Sequence, residues 1–72
     1  MPGDVHRDRV LTDRQRRVLE LMALGLDNRE IAEQMGLGTE TIKTHVRAVL
    51  KKLEANHRTH AVAIGLRDRF IE

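Results

Sequence analysis

The sequence predicts an all-α four-helix bundle, and three observations carry that expectation. Apolar residues recur at three- and four-residue spacing from Val18 to Leu66, and no alternating run is long enough for a strand. Capping-box spacings, Thr12 with Gln15 and Asp27 with Glu30, stand at the head of the first two periodic stretches. Gly25 and Gly36 stand at their ends, where a left-handed stop is commonly needed. The expected helices cover about 13–24, 28–35, 39–53 and 57–68.

Residues 1–10, with Pro2, Gly3 and alternating Asp and Arg, read as a flexible N-terminal tail or linker, and residues 11–72 as the domain. The first helix turns Val18, Leu19 and Met22 inward. Leu11 faces Arg16 at the staple position, so it packs elsewhere. The second helix turns in Ile31, Ala32 and Met35 and ends at Gly36. Gly36-Leu37-Gly38 has room only for a tight turn, after which Gly38 or Thr39 caps the third helix. At about 100° per residue, Ile42, Val46, Leu50 and Leu53 share one third of that helix's circumference. The fourth helix starts near Asn56-His57 and carries Ala61, Val62, Ile64 and Leu66.

Composition narrows the function. The chain has 72 residues and no cysteine, which excludes disulfides, thiolate nucleophiles and cysteine zinc sites. A secreted domain this small usually needs such a staple, so a reducing cytoplasm is the expected location. No apolar run approaches the roughly 20 residues of a membrane helix. The net charge is only +2, so any polyanion must be met by a local basic patch. Phe70 is the one aromatic residue, which argues against base-stacking recognition of single strands and against an aromatic-lined ligand pocket.

A short helix, a glycine-containing turn and a longer helix make a helix-turn-helix. Ala32 is small where the two helices cross, Leu37 plugs the corner, and Ile42 and Val46 anchor the third helix. Lys43, Thr44, Arg47 and Lys51 then lie opposite the apolar stripe. In a docked helix-turn-helix the N-terminal half of the second helix of the motif enters the major groove. Lys43, Thr44 and Arg47 are therefore the candidates for base edges: Arg47 and Lys43 through guanine O6 and N7, Thr44 through a thymine methyl. Lys51 and Lys52 are expected at phosphates. Asn28 and Arg29, at the start of the second helix, and Arg58, at the start of the fourth, are candidate backbone contacts, with capping or solvation as the plainer alternative. Glu40 shares the exposed face and would repel phosphate unless it accepts from a cytosine N4; support of the helix dipole is its simpler role.

The remaining polar residues offer no catalytic set. His57 and His60 are three apart, but two potential ligands without a Cys or carboxylate partner make a weak metal site, and capping or solvation explains them. His45 borders the apolar stripe, which suits packing or one phosphate contact. No nucleophile–base pair, phosphate-binding glycine loop or paired carboxylates occurs, so no enzyme, cofactor or metal is expected.

The stretches "LTDRQRRVLELMALGLDNREIAEQMGL", "TIKTHVRAVLKKL" and "RTHAVA" resemble the LuxR-type, or NarL-type, helix-turn-helix domain of bacterial response regulators and quorum sensors. The resemblance spans Leu11 to about Leu66. It implies a cytoplasmic transcription regulator that binds specific double-stranded DNA, with Lys43, Thr44 and Arg47 reading bases. It places Thr41, His45, Asn28 and Arg29 at the backbone, and makes the last helix a homodimer contact through Val62, Ala63 and Leu66. Helical geometry agrees in part, turning Ala61 and Gly65 to the core and Val62 and Leu66 away. The effector domain of a two-component response regulator or a stand-alone regulator is implied, on paired half-sites, with RNA polymerase a further candidate partner. The chain departs from the family pattern at Gln15, where Glu is usual, at Gly38, where Ser is usual, and at His57, where a small polar residue is usual. A sigma-factor DNA-binding region would account for the first three helices but has no ready use for "RTHAVAIGL". A helix-turn-helix module that binds protein instead of DNA is the alternative from another class.

Overall fold

The computed structural model describes residues 10–72, so the expected tail falls outside the described residues except for Val10. The architecture is all-α: α1 (Asp13–Ala23), α2 (Asn28–Met35), α3 (Thr39–Leu53) and α4 (Arg58–Arg67). These ranges differ from expectation by one residue at the end of the first helix and at each end of the fourth.

Both capping boxes form. Thr12 Oγ1 accepts from Gln15 N and Gln15 Oε1 accepts from Thr12 N, each at 3.0 Å. Asp27 and Glu30 make the same exchange at 2.9 and 2.8 Å. Each box satisfies N–H groups that a helix start leaves unpaired. The third helix has Gly38 as its N-cap, with no side-chain bond. The fourth is capped by His57, whose Nδ1 accepts from His60 N at 3.2 Å, while His60 Nδ1 accepts from Asn56 N at 3.0 Å. Both histidines thus serve the helix start.

The first three helices end in one way. A residue with positive φ follows the last turn, and the next N–H bonds back to the carbonyl five positions earlier: Leu26 to Leu21, Leu37 to Ala32, and Ala55 to Leu50. Gly25 and Gly36 supply the first two left-handed residues; Glu54, at φ 55°, supplies the third without being glycine.

Amphipathic faces then close over one core. Val18, Leu19, Leu21 and Met22 of α1 meet Ile31 and Ala32 of α2, Ile42, Val46, Val49 and Leu53 of α3, and Ala61 and Ile64 of α4. Leu11 is buried too, and it borders one surface pocket together with Arg16, Arg69 and Phe70. Met35, Leu37 and Leu50 are only half-buried against this core, whereas Val49, on the same apolar stripe as Leu50, is fully buried. α4 packs on both α1 and α3 and is integral to the bundle. Gly65 makes that approach possible: a Cβ there would stand 2.8 Å from Leu19 Cδ2. After α4 the chain turns back through Arg69, at φ 61°, and buries Ile71 beside Gly65. Nothing in the sequence pattern pointed to that return.

Candidate nucleic-acid interface

The apolar side of α3 is locked in the core, which decides what its other side presents. With Ile42, Val46, Val49 and Leu53 buried, Lys43, Thr44, Arg47 and Lys51 are all exposed. Thr41 is exposed one turn nearer the helix start. The side chains of Arg47 and Lys51 make no hydrogen bond or ion pair within the described residues, so two cations on this face are uncommitted.

The first turn is more constrained. Lys43 Nζ lies 3.1 Å from Glu40 Oε2 in an exposed ion pair. Thr44 donates its hydroxyl to the Glu40 carbonyl at 3.1 Å. Its donor is thereby spent, leaving the methyl group and the oxygen lone pairs for an outside partner. An exposed ion pair contributes about 0–1 kcal/mol, so Lys43 can be recruited elsewhere at small cost.

His45 is half-buried, and its Nε2 is enclosed without a hydrogen-bond partner. Packing is its evident role, and Nδ1 is the nitrogen left for an outside contact. Lys52 departs from expectation. Its Nζ donates to the Val10 carbonyl at 2.9 Å and to Gln15 Oε1 at 2.7 Å, tying α3 to the start of α1. The expected phosphate role of Lys52 is therefore set aside: its ammonium is occupied within the fold. Gln15 serves both its capping box and this lysine.

At the start of α2, Arg29 is exposed and Asn28 half-buried. Arg58 reaches across from α4: one guanidinium nitrogen donates to Asn28 Oδ1 at 2.6 Å and the other to the Leu26 carbonyl at 2.9 Å. The structure thus joins two of the expected backbone residues to each other, a link between residues 30 apart that helix periodicity cannot reveal.

On α4, Ala63 is exposed and Leu66 is 48% exposed, whereas Val62 is half-buried against the core. Leu66 borders a shallow groove of about 360 Å³ shared with Ala23, Leu24 and Ile71. Leu24, 72% exposed, was not singled out by its sequence context. Next to this groove Arg67 pairs with Asp68 at 3.0 Å; the hydrogen bond, and then the nearby charge, raise the Arg67 pKa above its ordinary value.

Comparison with known proteins gives this arrangement its family. Residues 9–64 match the profile of bacterial regulatory proteins of the luxR family, GerE. The chain belongs to the luxR family. This luxR-type helix-turn-helix domain is 41% identical over 61 residues to the uncharacterized transcriptional regulatory protein YxjL of Bacillus subtilis, covering 85% of the chain and 28% of that protein. It is 40% identical over 63 residues to the response regulator protein VraR of Staphylococcus aureus, covering 88% of the chain and 30% of that protein. The chain thus spans under a third of the length of these relatives. Domains of this family bind DNA and are not catalytic. Among the described residues no helix is long and apolar enough to cross a membrane.

Proposed function

We propose that the chain binds specific double-stranded DNA to regulate transcription, with α3 as the reading helix, and that it is the effector domain of a response regulator. One observation carries this: the same helix that anchors the core through Ile42, Val46, Val49 and Leu53 exposes Lys43, Thr44, Arg47 and Lys51 on its other side. On this reading Lys43, Thr44 and Arg47 meet base edges in the major groove. Thr41, His45 and Lys51 on α3, with Asn28 and Arg29 on α2, meet phosphates, and Arg58 joins that set by way of Asn28. A homodimer formed through Ala63, Leu66 and the outer edge of Val62 would place two reading helices on paired half-sites. The response-regulator assignment draws on the relative described as one.

Selection of bound sequences from random duplexes tests the reading, with the Arg47→Ala variant beside the parent. The parent should enrich a two-fold symmetric site. Arg47→Ala should lose about 1–3 kcal/mol on that site and relax preference at one or two base pairs. Affinity should fall roughly 10³–10⁵ between 50 and 200 mM salt if a dimer neutralises about 6–10 phosphates. No enrichment together with a flat salt profile would leave the fold as a protein-binding module.

A further inference from the structure

Arg58 stands where helix electrostatics least favour a cation. It is the first residue of α4, beside the positive end of the helix dipole. Its side chain leaves that helix for the start of α2, where it bonds Asn28 Oδ1 and the Leu26 carbonyl. Both bonds are partly buried, and both come from one planar guanidinium whose donors are fixed relative to each other. The Leu26 bond therefore sets the guanidinium plane, and the plane sets the Asn28 amide.

The consequence is a polarity. An asparagine amide accepts at one end and donates at the other, and the two ends have nearly the same shape. Phosphate oxygens only accept. A freely turning Asn28 would offer them its own oxygen as readily as its NH₂, and the first arrangement is repulsive. With Arg58 in place, turning the amide over would set NH₂ against guanidinium N–H groups that have no acceptor to offer. The Oδ1 end is held inward, and Nδ2 is what remains for an outside partner.

We propose that Arg58 is a positioning residue, fixing which end of Asn28 meets the DNA backbone, so that α4 governs the phosphate clamp at the start of α2. The inference rests on the reading of Asn28 as a phosphate contact. It also gives a reason for a cation at the head of α4 whose charge is directed away from its own helix.

Three variants test it in duplex-binding titrations. Asn28→Asp keeps an oxygen for Arg58 and adds negative charge in the first turn of α2, where the dipole favours it. It also puts a second oxygen where NH₂ stood. Its thermal midpoint should equal or exceed the parent's while affinity falls about tenfold or more, on the selected site and on random duplex alike. Arg58→Met keeps the stem and removes the fork; it should weaken binding about fivefold, and adding Asn28→Ala should cost no more, because one residue acts through the other. Arg58→Lys, still able to donate to Oδ1, should recover part of the loss. Parent-like binding by Asn28→Asp, or additive losses in the double variant, would overturn the positioning role, even while Arg47→Ala still alters base preference. Should Arg47→Ala also leave affinity and preference unchanged, the DNA-reading surface itself is refuted and the positioning role with it.

Discussion

Glu40 occupies an ambivalent place in the first turn of α3. Its carboxylate favours the positive end of the helix, takes the Lys43 ammonium at 3.1 Å, and its carbonyl takes the Thr44 hydroxyl. It is also a negative charge on the surface proposed to meet phosphate. With side-chain exposures of 48% for Lys43 and 84% for Glu40, the ion pair adds about 1 kcal/mol at most to stability, so its influence on DNA binding should outweigh its influence on folding. Glu40→Gln frees Lys43 and removes one repulsion. Affinity for any duplex should rise, by up to about tenfold at 50 mM salt and less at 200 mM as screening increases, in titrations followed by fluorescence anisotropy. An unchanged affinity with preference altered at a single cytosine would instead make Glu40 a base-reading residue. At this scale the sequence revealed the stripe of Lys43, Arg47 and Lys51, because four-residue spacing fixes which side chains share a helix face. The destinations of Lys52 and Arg58 were hidden, since their partners lie up to 42 and 32 residues away, and local periodicity carries no information about tertiary neighbours.

Helix starts and stops were legible wherever the signal is chemical. Thr12, Asp27, Gly25 and Gly36 each satisfy unpaired backbone groups through their own side chain or left-handed backbone. The end of α3 at Leu53 was legible, but the left-handed residues Glu54 and Arg69 were not, because neither is a residue type that prefers positive φ; tertiary packing of Ala55, and of Phe70 and Ile71, is associated with both turns. α4 shows how one position controls the approach of a whole element. A methyl group at Gly65 would stand 2.8 Å from Leu19 Cδ2 and 3.3 Å from Ile71 Cγ1, and Leu19 is fully buried, so its side chain would have to shift within the packed core. Gly65→Ala gains about 1 kcal/mol of helix propensity but incurs roughly 1–3 kcal/mol of overpacking. A net loss of about 1 kcal/mol should follow in urea denaturation, with α4 displaced from α1. Gly38→Ser is the contrasting change: a Cβ at Gly38 meets nothing within 4 Å, and the hydroxyl supplies the missing cap, so stability should rise by a few tenths of a kcal/mol.

For the whole molecule, the net charge of +2 matters less than its separation into surfaces. The exposed side of α3 carries two uncommitted cations, Arg47 and Lys51, whereas the outer side of α4 carries apolar groups and an Arg67–Asp68 pair. A dimer through α4 would leave the reading helices free, and the exposed Leu66 beside Leu24 and Ala23 suits a modest apolar contact. The sequence pattern implied that Val62 and Leu66 would be equivalent probes of such a contact. The structure separates them: Val62 is half-buried against the core, so a charge there would disturb folding, whereas Leu66 can be changed with less harm. Leu66→Glu should therefore keep the parent's thermal midpoint within about 0.5 kcal/mol of stability, as surface changes usually do. It should bind a single half-site like the parent and lose cooperative occupancy of paired half-sites, because two like charges would face each other across the two-fold axis. Titrations on duplexes with one and two half-sites, with sedimentation of the bound complexes, distinguish the outcomes. Equal cooperativity in parent and variant would move the dimer contact off this surface, and weakened single-site binding would mean that Leu66 supports the bundle that holds α3 in place.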